Sequence, residues 1–244
     1  MANTWSDVIE EAIIECGYVA TLKDIYRIAI SKKDFSGLTP QKTINERVQR
    51  DSRFVKLMPG LYGLKNHLDK VPDEVNPNVS KTEAQKDEIT HSYIQGLLLE
   101  IGNINGFKTY SPDKGGNFLG NKLSGVMSCE EVPCFTFEKI VKSTRFIDVI
   151  WFNERNFPNS VFEVENTTNF RNSLVKFVEL QDFRTSMYLI APNEQSKKSK
   201  YEQEIERSAF VSIKDRVKFF DYEKVVGLHS AQVAVNQYKD FFKY

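Results

Sequence analysis

The sequence predicts a mixed α/β protein: a mixed sheet with helices, preceded by a smaller, mostly helical part. Three observations carry that prediction. From residue 82 onward helical and strand patterns follow in the order α-β-β-α-β-α-β, the order of a sheet flanked by helices. Before it, three short helical patterns lead into a hairpin signal around Met58-Pro59-Gly60. Between the two lies "NHLDKVPDEVNPNVSK", residues 66–81, which holds Pro and Asn and has no apolar period, as a linker does. The expected domains are therefore 1–65 and 82–244, joined by 66–81.

In the first part, "TWSDVIEEAIIECG" repeats apolar residues at helical spacing (Val8, Ile9, Ala12, Ile13) and stops at Gly17. "TLKDIYRIAISK" opens with Thr21 as N-cap. "LTPQKTINERVQRDS" has Thr39 as cap and Pro40 at the first helical position. "RFVKLMPGLYGLK" then supplies two short β-rich runs. Three helices followed by a hairpin describe a winged helix-turn-helix. On the third helix Ile44 and Val48 face inward, which leaves Lys42, Asn45, Glu46 and Gln49 opposite. With Gln41, these are the expected base-reading side chains, since Asn and Gln suit adenine and Lys suits guanine. Arg47, Arg50 and Arg53 flank that face and suit phosphates. The alternative is a polar helix that makes protein contacts.

The second part opens with one long helix, "KTEAQKDEITHSYIQGLLLEIGNINGF", striped by Ile94, Leu97, Leu98, Ile101 and Ile104. A loop region rich in Gly, Asn, Lys and Ser follows, from Tyr110 to about Cys134. Next come two strands, "FIDVIWF" and "SVFEVEN", the helix "FRNSLVKFVELQ" and the strand "TSMYLIAP". An amphipathic helix "KKSKYEQEIERSAFVSI", the strand "RVKFFDY" and a terminal helical segment complete the chain. Lys197, Lys198 and Lys200 read as a loop cluster of solvated lysines or backbone contacts.

The two strands carry acids where an apolar strand should not. Asp148 sits in the first, Glu163 and Glu165 in the second. Residues two apart share a strand face, so Glu163 and Glu165 point together, and a hairpin across "NERNFPNS" brings Asp148 beside them. Three close carboxylates repel and need a compensating cation. Oxygen ligands of that kind suit Mg²⁺, with Mn²⁺ as a substitute. The competing reading is a solvated sheet face, but runs this apolar are normally central strands.

An acid followed about 15 residues later by acid-x-acid resembles the PD-(D/E)xK nuclease superfamily, in the E-x-E form found among type II restriction endonucleases. Where that motif usually ends in Lys, this chain has Glu165. "FEVENTTNFRNSLVKFVELQ", a strand running into a helix that bears Lys176, is similar to such enzymes. The first part, with "PGLYGL" as its wing, resembles the HARE-type winged helix. The resemblance implies that Asp148 and Glu163 hold the metal, with the Val164 carbonyl as a further ligand. It implies that Glu165 positions or deprotonates water, or binds a second metal. An additional acid from the preceding helix would be Glu100, with His91 and Gln95 on another flank. It also implies double-stranded DNA as substrate and a homodimer that cuts both strands. The alternatives are a winged-helix regulator with an inactive nuclease-like domain, or an endonuclease dependent on modified bases.

Composition sets limits on these readings. The 33 basic and 33 acidic side chains cancel, so DNA contact must come from local patches. Cys16, Cys129 and Cys134 form no CxxC pair, and with three His they offer no zinc cluster. No apolar run is long enough to span a membrane and "MANTWSDVIEE" is not signal-like, so a cytoplasmic protein is expected.

Overall fold

A computed structural model describes residues 4–34 and 39–236. The end of the expected terminal helix and Leu38, which opens the third helical pattern, lie outside them. The chain divides into two compact units: residues up to Glu83 together with those from Val233 on, and Ala84–Gln232.

In the first unit, α1 (Trp5–Glu15) opens with a capping box between Thr4 and Asp7, and β1 (Val19–Thr21) follows it. Helix α2 (Leu22–Lys32) is capped by Thr21, whose hydroxyl accepts from the Asp24 amide at 3.2 Å. Helix α3 (Pro40–Arg50) begins at Pro40 as expected, but Thr39 makes no side-chain cap. Its backbone (φ −135°, ψ 63°) is not the extended conformation from which a cap hydroxyl reaches back into the first turn. Strands β2 (Phe54–Met58) and β3 (Leu61–Leu64) form the expected hairpin, turning through Gly60 at φ +71°. The short β1 adds to its other side, giving the antiparallel order β1-β3-β2. Ile9, Ile13, Ile25, Ile44 and Leu61 are the fully buried centre.

Residues 66–81 are not a bare connector. A 3₁₀ turn covers Lys65–Lys70, and Val71 and Asn76 are buried. Asn76 donates to the Leu68 carbonyl at 2.7 Å and accepts from the Asn78 amide at 2.9 Å. An aperiodic sequence can still be tied down by side-chain-to-backbone bonds of this kind.

The second unit is a mixed α/β layer structure. Helix α4 (Glu83–Ile104) leads into β4 (Lys108–Tyr110), then the small hairpin β5 (Asn117–Phe118) and β6 (Asn121–Lys122). After α5 (Glu138–Thr144) come β7 (Val149–Phe152), β8 (Pro158–Val164), α6 (Phe170–Val178) and β9 (Ser186–Ala191). The unit ends with α7 (Gln195–Ile205), β10 (Val217–Asp221) and the part of α8 (Tyr222–Asn236) up to Gln232. The sheet order is β10-β9-β8-β7-β4, with β8, β9 and β10 parallel and β7 antiparallel to both its neighbours. The expected order of elements is therefore present. Strand β4, the β5–β6 hairpin and α5 were not expected, and the helix expected from Lys197 to Ile213 ends at Ile205. The lysines 197, 198 and 200 lie on α7, not in a loop.

One sheet face packs Ile150, Phe152, Val161, Met187 and Leu189 against Phe170, Leu174 and Phe177 of α6. Helix α4 is not a one-sided amphipathic helix: every residue from Ser92 to Leu99 is buried. Close approach is allowed by Gly96 and Gly102. A Cβ on Gly102 would lie 2.5 Å from Thr109 Cγ2 and 2.6 Å from Trp151 Nε1. The Trp151 ring cannot easily give way. Its Nε1 donates to the Leu98 carbonyl at 3.0 Å, and it lies between Phe107 and Phe162 at centroid distances of 5.5 and 4.5 Å. Gly102→Ala should therefore destabilise the protein by about 1–3 kcal/mol. That clash outweighs the gain of about 1 kcal/mol in helix propensity that alanine brings elsewhere. Chemical denaturation decides it, and a neutral or stabilised variant would refute the packing argument.

Candidate functional site

The β7–β8 register aligns Val149 with Phe162, which sets Asp148 opposite Glu163 one step further along. The Asp148 amide donates to Glu163 Oε1 at 3.2 Å, and Asp148 Oδ2 accepts from the Val164 amide at 2.8 Å. Backbone geometry therefore fixes both acids. Glu163 is 1 % exposed, so its carboxylate is cut off from water. Its partner is Lys176 on α6, whose Nζ donates to Oε2 at 2.7 Å and Oε1 at 3.0 Å, and stands 3.9 Å from Asp148 Oδ1.

Glu165 joins the same cleft but not the same cluster. Its Oε1 accepts from Ser173 at 2.6 Å and its Oε2 from Thr167 at 3.1 Å. The compact group is thus two carboxylates and an ammonium, in place of the three carboxylates expected from strand alternation. Among the described residues no group of three or more His, Cys, Asp or Glu is gathered to hold a metal. The reason is that Lys176 supplies the cation that the crowded acids need, while α6 offers Glu165 a hydroxyl.

These residues line an open cleft of about 310 Å³. Val164, Asn166 and Thr167 continue it, and α4 contributes Asp87, Glu88 and His91. His91 Nε2 lies 3.1 Å from Asp148 Oδ2. Burial pushes its imidazole pKa down, but the hydrogen bond and charge of Asp148 outweigh burial and leave it raised. Glu163 is raised well above the usual carboxylate range, by burial first and by Asp148 second, with Lys176 opposing both.

Other expected site residues stand elsewhere. Glu100 does not line the cleft; its Oε2 pairs with His229 of α8 at 2.6 Å. Gln95 is 1 % exposed, and its Oε1 has no hydrogen-bond partner among the described residues. Lys197 is not solvated: its Nζ donates to the Asn166 carbonyl at 2.7 Å.

On α3, Ile44 and Val48 are buried while Lys42, Glu46, Arg47, Gln49 and Arg50 are exposed, with Gln41 and Asn45 partly so. Gln49 donates to Asn45 Oδ1 at 3.0 Å, and Arg50 pairs with Glu46. Arg53 is committed: Nη1 pairs with Asp7 at 3.1 Å and Glu10 at 2.8 Å, and Nη2 with Asp51 at 3.0 Å. Asp7 and Glu10 tie the residue before β2 to α1, and with Asp51 they leave Arg53 poorly placed to meet a phosphate.

Sequence reading missed Asp87, Glu88, Asn166 and Ser173. The first two lie one helical turn before His91, a spacing that could have found them. Asn166 carries no sequence signal because its partners are the Asp87 carbonyl, Lys197 and Tyr222, all distant in the chain.

The raised pKa of Glu163 predicts a pH dependence. The folded state holds that proton more tightly than the unfolded chain, whose carboxyl titrates near 4.5. The stability this contributes is full below about that pH and is lost as pH rises toward the folded value. Glu163→Gln cannot lose it. In chelator, the melting temperature of Glu163→Gln minus that of the parent should rise between pH 4.5 and neutrality. A flat or falling difference would refute the burial argument.

No curated protein and no solved structure matches the chain. None of the described helices is long and apolar enough to cross a membrane. A family model does match, over residues 70–240, and its span takes in the whole hairpin of acids, α6 and the cleft. That match covers most of the chain, which therefore belongs to the family of the type II restriction enzyme NmeDI C-terminal domain.

Proposed function

We propose that the chain is a site-specific, Mg²⁺-dependent endonuclease that cuts double-stranded DNA, with a PD-(D/E)xK-type site of the E-x-E form. One observation carries the reading: within the matched region, Asp148 and Glu163 are brought together across the β7–β8 hairpin in a cleft with five acidic lining residues. Such a cleft repels a phosphodiester unless a cation intervenes.

The donor set fits Mg²⁺, which is commonly held by one or two carboxylates and leaves its other positions to water and substrate phosphates. Asp148 and Glu163 would hold it, with the Val164 carbonyl as a further donor. When bound, the ion supplies Lewis acidity toward a phosphate oxygen and makes water more acidic. Glu165, held by Ser173 and Thr167, orients the attacking water. Lys176 faces the incoming phosphate as a point charge. His91 holds Asp148 from the α4 side.

The α1-β1-α2-α3-β2-β3 unit supports a winged-helix reading, with the β2–β3 hairpin as wing and α3 as the helix that enters the major groove. Lys42, Gln41, Asn45 and Gln49 would read bases, and Arg47 and Arg50 would meet phosphates. Two copies would act together, one on each strand.

Purified protein with Mg²⁺ should cut plasmid DNA into discrete fragments, and a chelator should stop it. Asp148→Asn should lower the rate at least about a hundredfold while gel-shift affinity in chelator stays near the parent's. Failure to cut any duplex, methylated or plain, with Mg²⁺ or Mn²⁺ would overturn the nuclease reading. Changing Lys42, Asn45 and Gln49 together to Ala should weaken DNA binding without lowering the melting temperature, because none of the three is buried. Unchanged affinity would reassign α3 to protein contacts.

A further inference from the structure

Lys176 stands where a divalent cation would have to stand. Its Nζ forks onto both oxygens of Glu163 and faces Oδ1 of Asp148 at 3.9 Å. The other oxygen of Asp148 is already taken by the Val164 amide and His91. The ammonium therefore stands against the oxygens of both carboxylates that a cation would use. A second cation brought to the same oxygens meets like charge at short range.

Lys176 is not locked in place. Its side chain is 29 % exposed, against 2 % for that of Glu163, and its stem starts from α6 and reaches into the open cleft. A lysine is a compact charge on a flexible stem, so it can exchange one oxyanion for another. The oxyanion that a nuclease brings into this cleft is a phosphate.

Building on the nuclease reading, we propose that Lys176 is the resident counter-ion of the Asp148–Glu163 pair: it competes with a divalent cation in the free protein and passes to a substrate phosphate when DNA enters. Cation and DNA then bind cooperatively, each raising the affinity for the other by the same factor. The free protein keeps its buried acid neutralised and takes up its metal mainly with substrate. Lys176 is, in the free protein, a positioning residue whose removal should improve one property while it damages another.

The test measures Mn²⁺ binding to the full chain without DNA, with the free ion read by electron paramagnetic resonance. Lys176→Met should bind Mn²⁺ about tenfold tighter than the parent, or more. Lys176→Arg, which keeps the charge, should stay near the parent, and adding Asp148→Asn to Lys176→Met should remove the gain. A folded Lys176→Met that binds no tighter overturns the proposal. A second measurement uses the unaltered protein. Acetylation of Lys176, followed by peptide mass, should rise when Mn²⁺ is added, because the displaced amine becomes reactive. Unchanged labelling at a Mn²⁺ concentration that saturates the site overturns the proposal even if the variants misfold. Neither readout depends on cleavage. An enzyme that cuts DNA but fails both keeps the nuclease reading and loses this one.

Discussion

A carboxylate removed from water needs a cation, and in this chain Glu163 finds it in Lys176. The pair constrains much of the second unit. Glu163 lies in β8 between β7 and β9, so its position is set by ladders on both sides. Lys176 lies on α6, which packs through Phe170, Leu174 and Phe177 onto the same sheet face. Removing Lys176 would leave Glu163 buried beside Asp148 with no cation on it, which favours the protonated carboxyl further. In the free protein the pair joins α6 to β8 above that apolar contact.

The backbone that leaves β8 is held as firmly as the acids. The Glu165 amide continues the ladder to the Ile190 carbonyl at 2.8 Å. One residue later, Asn166 meets three elements at once. Its side chain donates to the Asp87 carbonyl of α4 at 2.6 Å and accepts from Tyr222 of α8, and its carbonyl accepts from Lys197 of α7. Burial raises the Tyr222 phenol, so it remains a protonated donor. The exit of the acid-bearing strand is thus clamped from three directions, which is how a cleft lined by a loop keeps a defined shape.

How much of this was legible in the sequence depends on the range of the interaction. Asp148 and Glu163 could be paired from sequence because a hairpin's register and strand alternation are local rules. The succession of elements from β7 to β10 was legible for a similar reason: these elements are long enough to show a period. Strands β4, β5 and β6, of three and two residues, are too short to show one. The burial of α4 from Ser92 to Leu99 was hidden because Ser92, Gln95 and Gly96 interrupt its apolar stripe. Their burial is a tertiary fact: Phe118 covers Gly96, and Ser92 meets Asp113. Lys176 and Arg53 make the same point from opposite sides. Both are basic residues whose distant partners no local pattern shows: Glu163 draws one into the cleft, and Asp7 and Glu10 draw the other away from the α3 surface.

The difference between Glu163 and Glu165 follows from matching two periods. Residues two apart on a strand are separated by roughly 6.8 Å, while residues three apart on a helix rise about 4.5 Å. Helix α6 offers Ser173 to Glu165 and Lys176 to Glu163, so the order along the helix reverses the order along the strand. A three-residue helical step is too short to cover the strand step with two equal side chains. A short serine at one end and a long lysine at the other close the gap. The identity of each partner then decides the chemistry of each acid. Glu163 meets a full charge in Lys176, whereas Glu165 accepts from the neutral hydroxyls of Ser173 and Thr167. An ammonium supplied from the helix leaves the strand position free to be acidic, which is why a glutamate can stand at 165 without leaving the acids uncompensated.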